Sequence, residues 1–313
     1  MIDLSGKPIA ITGASSGIGA ATAIACAAAG MPVALGARRA DKLQLVVDSI
    51  KAAGGRAIGV TMDVCTPGDN ERLVDACVAE FGGVYSVYAN AGYGEEAPLL
   101  SMTDQQVRDM FETNFFGTLS LIRAAAPYLE RNAPTTGGVR GHVLICSSCL
   151  GKLWIPYYSV YSATKAAQNH IGRALNIELK DRGIRVSTVH PIGTRTEFFE
   201  QAAAKAKSHG RLTLHTHDSL LEPAELVARK TVACLRRPRP EVWTSMSGVM
   251  VRLGMGLANM MPGVCDFAIH TLLSRRQQQQ KQQQDARPSP SGVTTPPVEP
   301  APAFSQQHAN AAK

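Results

Sequence analysis

Six short, nearly uninterrupted apolar runs recur through about the first 190 residues, and this recurrence constrains the fold more than any other feature. They lie at Pro8–Thr12, Pro32–Arg38, Arg56–Met62, Val84–Ala89, His142–Ser147 and Arg185–His190. A strand wetted on one face alternates apolar and polar residues, whereas a run that is apolar throughout is buried on both faces. Between the runs lie stretches of helix length: Ile18–Ala29, Asp41–Ala53, Asp69–Phe81 and Gln105–Tyr128. Another spans Tyr161–Arg182 and stops at Gly183. Strand–helix repetition of this kind predicts an α/β fold, a single doubly wound parallel sheet with helices on both faces. Pro223 opens a further helix to about Arg236, and Glu241–Thr244 fits a seventh strand.

Composition sets the outer limits. With 313 residues, 45% of them hydrophobic, the chain can bury a sizeable core. No uncharged apolar run reaches the ~20 residues of a membrane-spanning helix. Residues 1–7 lack the basic start and apolar stretch of a secretory signal. Net charge is +7; five Lys/Arg and two Asp/Glu in 275–313 carry +3 of it and leave +4 on 1–274. Those basic residues are scattered, which argues against a nucleic-acid partner. Seven cysteines without zinc-type spacing fit free thiols and a cytoplasmic location.

Three segments are expected: a catalytic domain at 1–245, an apolar extension at 246–274 and a disordered tail at 275–313. The extension is Met-rich, and its longest uncharged run, Leu253–Cys265, has 13 residues. It could cover a pocket, form a subunit contact or rest on a membrane surface. The tail holds seven glutamines within 277–284 and six prolines between Pro288 and Pro302. Such composition buries too little apolar surface to offset ordering entropy.

The first run ends in Thr12-Gly13-Ala14-Ser15-Ser16-Gly17-Ile18-Gly19. Glycines there let the backbone turn sharply and approach a ligand, and the helix that follows offers N–H groups and partial positive charge to a phosphate. Gly13, Ser15, Ser16, Gly17, Ile18 and Gly19 are therefore expected to hold a dinucleotide. The second run ends at Ala37-Arg38-Arg39. An NAD site places a carboxylate near this point for the ribose 2′-hydroxyl, while arginine suits a 2′-phosphate. Arg38 and Arg39 thus favour NADP(H). In the competing reading both are solvated and Asp41 serves NAD.

Asp63 and Val64 close the third run; Asp63 either accepts from an adenine amine or caps a helix. Asn90, Ala91 and Gly92 close the fourth, where small residues leave room for a nucleotide and the Asn90 amide can tie strand ends together. Tyr161 and Lys165 stand four residues apart and share a helix face. A neighbouring ammonium lowers a phenol pKa, and a tyrosine so tuned can exchange a proton with a carbonyl oxygen. Ser148 lies 13 residues upstream at a strand end, and Asn114 sits in the preceding helix.

Together these features resemble the short-chain dehydrogenases/reductases over about residues 5–245. The resemblance rests on TGASSGIG (12–19), NAG (90–92), Asn114 in ETNFFG, Ser148 and YSATK (161–165). It implies a Rossmann-type sheet and a catalytic set of Asn114, Ser148, Tyr161 and Lys165. Tyr161 would pass the proton and Ser148 would bond the carbonyl oxygen. Lys165 would also bind the nicotinamide ribose, and Asn114 would hold a relay water. Pro191, Thr194 and Thr196 would lie on the nicotinamide side. Here the sequence departs from the family's Pro-Gly: it has Pro191-Ile192-Gly193-Thr194-Arg195-Thr196, so the local geometry is open.

Other signals point to weaker readings. Cys146-Ser147-Ser148-Cys149 has redox-pair spacing but straddles a strand end, so structural thiols are expected. His215-Thr216-His217-Asp218, with His209 nearby, is read as a solvated lid, with no metal. Leu150, Trp154, Ile155, Tyr157, Tyr158 and Tyr93 are expected near the pocket. The expected reaction is hydride transfer between NADP(H) and a carbonyl or secondary alcohol of an apolar small molecule. The alternatives are a membrane-surface lipid, steroid or retinoid dehydrogenase and a non-catalytic NADP-binding regulator. A homodimer or homotetramer is the expected assembly.

Overall fold

The computed structural model describes residues 1–196, 221–244 and 248–285. They divide into two compact units, Met1–Met261 and the chain from Pro262 onward. In the first, seven parallel strands form one sheet: β1 Ile9–Thr12, β2 Val33–Ala37, β3 Ala57–Thr61, β4 Ser86–Ala89, β5 Gly141–Cys146, β6 Ile184–His190 and, at the edge, β9 Glu241–Trp243. A separate pair joins β7 Thr194–Arg195 to β8 Glu222–Pro223.

The sheet order is β3-β2-β1-β4-β5-β6-β9, so the chain works outward from β1 in both directions. The order reverses between β1 and β4, and such a switch point opens a crevice beyond the strands' carboxyl ends. Neighbouring residues within a strand serve opposite layers. Ile9 and Ile11 join one buried cluster with Leu35, Leu144 and Val189; Ala10 joins another with Ala34, Val87 and Val143. The first layer is closed by α1 Gly17–Ala28, α2 Ala40–Ala52 and α7 Ala224–Arg236. Cys77 of α3 (Asp69–Phe81), Leu121 of α5 (Gly117–Arg131) and Leu179 just after α6 (Ser159–Glu178) sit in the second. Both faces are covered, which is why the strands show continuous apolar runs.

The expected helix over Gln105–Tyr128 is interrupted. It divides into α4 Asp104–Phe111, a π-helical turn Glu112–Phe116 and α5. The wide turn carries Asn114 inward, to full burial. Such turns shift the ladder by one residue without changing the apolar pattern enough to announce themselves. Pro223 stands one place before its helix rather than within it.

Helix α8, Gly248–Met260, exposes Leu253, Leu257 and Met260 along one stripe. In the second unit, α9 runs Pro262–Asp285. It takes in residues 275–285, since glutamine is a good helix former once a helix has begun. Residues 286–313 and the His209 and His215–Asp218 segment lie outside the described residues. No described helix is long and apolar enough to cross a membrane.

Candidate active site

Loops from the carboxyl ends of β1 to β6 converge on one cleft of about 640 Å³. At its floor, Thr12 Oγ1 accepts from the main-chain N–H of both Asn90 and Ala91, at 3.2 Å each. Asn90 Nδ2 donates in return to Thr12 O at 3.0 Å and Gly13 O at 3.2 Å. The Asn90 amide thus ties β1 to β4. Gly13 has φ +66°, and a Cβ there would meet Ala91 Cα at 2.8 Å, so this turn admits only glycine.

Gly19 has a packing task. It does not line the cleft; a Cβ on it would lie 2.3 Å from Gly13 O. It lets α1 press against the loop that carries Gly13. Ser15, Ser16, Gly17 and Ile18 do line the cleft. Ser16 occupies the N-cap place of α1 but makes no cap bond. Its hydroxyl instead accepts from Arg39 Nη2 at 2.7 Å, and Ser15 accepts from the same nitrogen at 3.2 Å. The helix start, with no acid in its first turn, and the guanidinium together form a seat for anions.

Arg38 is exposed and stands 3.6 Å from Asp63. Asp63 and Val64 line the cleft, and the N-cap place of α3 falls to Gly68, not to Asp63. Asp41 is exposed in the first turn of α2 and is absent from the lining.

Ser148, Tyr161 and Lys165 are buried around the inner end. The Ser148 hydroxyl accepts from Leu150 N at 3.1 Å and helps hold the Tyr161 phenol down, but burial outweighs it and pushes that phenol above its ordinary range. The Lys165 ammonium lies 5.6 Å from the Tyr161 ring centre and is turned elsewhere, to Cys146 O at 2.7 Å and Gln168 Oε1 at 3.0 Å. Burial pushes the lysine itself down.

Asn114 stands behind the cleft. Its side chain is wholly buried and committed: Oδ1 accepts from Tyr93 N at 3.0 Å, and Nδ2 donates to Tyr93 O at 2.9 Å and Thr164 Oγ1 at 3.0 Å. Its main-chain oxygen takes Gln168 Nε2 at 2.5 Å and Thr118 Oγ1 at 2.8 Å. Asn114 therefore shapes the site and does not line it. Gln168 links it to Lys165 and was missed, although Lys165 and Gln168 are three apart on one helix face.

The irregular loop after β6 resolves simply. Gly193 takes the positive φ, +53°, one place later than the family pattern puts its glycine. Pro191, Ile192, Gly193, Thr194 and Thr196 line the cleft. Thr194 Oγ1 is buried with no partner among the described residues.

On the substrate side Tyr93, Cys149, Leu150, Ile155 and Tyr158 line the wall; Trp154 and Tyr157 do not. Tyr157, at φ 71°, holds a left-handed turn that costs about 1 kcal/mol or more and swings Tyr158 inward. Tyr158 OH donates to Glu96 at 3.3 Å, and its ring meets Tyr161 edge-on at 6.3 Å. Cys146 and Cys149 are free thiols, and burial pushes Cys149 up to about 11, which suits a structural role rather than redox exchange.

The residues fit a dinucleotide on two counts. The anion seat is built at the mouth, and at the centre a Cβ on Gly92 would intrude 2.9 Å from Asn114 Oδ1 and 3.4 Å from Lys165 Nζ, space kept open only by glycine.

The short chain dehydrogenase family matches residues 7–207. An uncharacterized oxidoreductase of Listeria innocua is 35% identical over 212 residues, 67% of this chain and 83% of that one. An alcohol dehydrogenase from the archaeon Thermococcus sibiricus, solved complexed with 5-hydroxy-NADP, is 27% identical with a TM-score of 0.64, covering 76% of this chain and 95% of that one. A short chain dehydrogenase/reductase from Burkholderia phymatum, solved in complex with NAD, shares the fold at a TM-score of 0.72 and 24% identity, over 84% of this chain and 96% of that one. The match across most of the sheet, together with the Ser148, Tyr161 and Lys165 cluster at its switch point, makes this chain a member of the short chain dehydrogenase family of oxidoreductases.

Proposed function

We propose that the protein reversibly reduces a carbonyl of a neutral, apolar small molecule to a secondary alcohol, with NADP(H) as its nucleotide. The observation that carries this reading is the charge layout of the cleft. Arg38, Arg39 and Asp63 stand at its mouth, Lys165 is bound at its centre, and the wall beside Tyr161 holds no charged side chain among the described residues. A charged substrate would lose hydration there without a partner.

Arg39 and Arg38 would hold the 2′-phosphate, Ser15 to Ile18 the pyrophosphate, and Thr194 and Thr196 the nicotinamide end. When bound, the nucleotide supplies the hydride in reduction and takes it in oxidation. Tyr161 donates its phenol proton to the oxygen as negative charge develops there. Ser148 Oγ, which already accepts from Leu150 N, donates its hydrogen to the same oxygen and fixes the carbonyl's direction. Lys165 spends two of its three N–H groups on Cys146 and Gln168 and keeps one for a ribose hydroxyl. Burial keeps the Tyr161 phenol protonated at neutral pH, the form that reduction requires.

The test compares NADPH and NADH against a panel of aromatic aldehydes, ketones and quinones. Wild type should show kcat/KM higher with NADPH by at least roughly tenfold, the equivalent of about 1.4 kcal/mol. Arg39→Ala should remove most of that margin, since a charge-assisted bond contributes about 1.5–3 kcal/mol. Equal or better use of NADH by wild type refutes the nucleotide assignment, and no turnover of any panel member with either nucleotide refutes the reaction.

A further inference from the structure

We propose that His190 is a positioning residue for Ser148, acting through the peptide bond that follows the serine; the inference rests on the catalytic reading of Ser148 and Tyr161. His190 ends β6, is wholly buried and does not line the cleft. Its ring nevertheless reaches the site's backbone. Nδ1 lies 3.1 Å from Ser148 O, and a carbonyl oxygen only accepts, so Nδ1 carries a hydrogen and donates it.

The ring is held on three sides. Nε2 is 2.9 Å from Thr188 Oγ1. One face stacks on the Trp243 indole, with centroids 4.7 Å apart and planes inclined by 18°. That indole donates from Nε1 to Glu241 Oε2 at 3.2 Å, and Glu241 Oε1 takes the Lys152 ammonium at 2.9 Å. The imidazole is thus fixed by β6 and β9, two elements of the rigid sheet.

The adjoining residue completes the clamp. Cys149 N donates to Pro191 O at 3.1 Å. The Ser148–Cys149 peptide is therefore pinned at both polar ends, its C=O by His190 from β6 and by Gly151 N at 3.0 Å within the same short turn, and its N–H by Pro191. Two residues on, Leu150 N donates to Ser148 Oγ and occupies one acceptor side of the hydroxyl. The direction left for the Ser148 hydrogen follows from the main chain at 148–150. If the His190 bond is lost, the carbonyl keeps only the local bond from Gly151 N, nothing ties the turn at 148–151 to β6 through that oxygen, and the hydroxyl drifts with the turn from the line toward Tyr161 and the substrate oxygen. A buried histidine that merely fills space would have no such effect.

Two substitutions separate donor from bulk in the full-length protein. His190→Phe keeps a flat ring against Trp243 but offers no N–H. His190→Asn loses the ring but places an amide nitrogen near the position of Nδ1. Phenanthrenequinone with NADPH is the activity probe, and hydrogen exchange of the amides at 149–151 is a readout that needs no substrate. His190→Phe should speed that exchange and lower kcat roughly ten- to hundredfold, the scale of a misplaced catalytic group, while KM and the NADPH Kd stay within about twofold. His190→Asn should restore both exchange and kcat. Adding His190→Phe to Ser148→Ala should cost nothing further, because the two act along one line.

Unchanged exchange or unchanged kcat in His190→Phe overturns the inference. So does failure of His190→Asn to rescue, or a double variant markedly worse than Ser148→Ala alone. An unimpaired Ser148→Ala would sink the catalytic reading itself, and this inference with it; an impaired Ser148→Ala beside an intact His190→Phe sinks this inference only.

Discussion

His142 should make the fold sensitive to mild acid, and its surroundings set the size of the effect. The side chain is wholly buried on β5. Ser187 Oγ donates to Arg239 O at 2.5 Å, so toward His142 it acts as acceptor, and the imidazole carries its hydrogen on Nε2, 2.7 Å away. Nδ1 is buried with no hydrogen-bond partner among the described residues. A proton placed there would find neither water nor an acceptor. Burial first, and the Arg185 charge second, push this histidine down to about 3.

The unfolded chain takes that proton near the ordinary histidine pKa of about 6.5, and the folded protein refuses it. Stability is therefore unaffected above about 6.5, falls as pH drops below it, and keeps falling until about 3. Between about pH 7 and pH 5 the loss is ~2 kcal/mol, at 1.36 kcal/mol per unit. For a unit of this size that is roughly 4–8 °C in melting temperature. His142→Gln places an amide N–H near the Nε2 position, keeps the bond to Ser187 and cannot titrate. Carboxylates that also contribute to acid sensitivity, such as Asp69 and Glu241, are common to both proteins and cancel in the comparison. Urea unfolding of wild type and His142→Gln at both pH values should show the wild-type margin shrinking by ~2 kcal/mol at the lower pH. A margin that stays constant within about 0.5 kcal/mol would refute the argument.

Three further outcomes are expected. Tyr161→Phe should bind NADPH nearly normally by fluorescence titration and lose kcat by roughly 10²–10⁴-fold. Because burial holds the phenol protonated, alcohol oxidation by wild type should speed up as pH rises above neutral while carbonyl reduction does not, and a stopped-flow pH profile that is flat in oxidation would contradict this. Gly92→Ala should weaken nucleotide binding or lower kcat at least about tenfold, since its methyl would press on Asn114 and Lys165 at a cost of about 1–3 kcal/mol; wild-type kinetics in this variant would show the gap to be idle.

The sheet and the glycine turn were legible because each is written in neighbouring residues. Apolar runs mark strands buried on both faces, and Gly13 and Gly17 stand where the turn needs them. Tyr161 and Lys165 were legible through helical spacing. The features that follow are not written in neighbouring residues. Asn114 is marked by its motif, but the π-turn that carries it inward leaves the apolar period intact. Gly19 belongs to the glycine motif, and only the 2.3 Å approach of a Cβ there to Gly13 O reveals its packing task. The glutamines at 277–284 read as a tail by composition, and the helix begun at Pro262 takes in all seven of them before it ends at Asp285.

The parts hardest to see are those that act through main-chain carbonyls. Lys165 is aimed by Cys146 O, Gln168 by Asn114 O, and Ser148 by the bond its own carbonyl accepts from His190. Every residue has a carbonyl, so no letter in the chain marks these three as special. Their importance comes from the donors that meet them across distances of 19, 54 and 42 residues. The reacting side chains can therefore be found by motif, whereas the geometry that makes them react depends on long-range contacts with a featureless acceptor. This division also bears on mutation. Substituting Cys146 or Asn114 leaves the carbonyl in place, so the aim of Lys165 and Gln168 should survive most changes there that keep the backbone still. Substituting the donor does not leave the bond in place, and Gln168 and His190 are where this site is exposed to loss of geometry without loss of any reacting group.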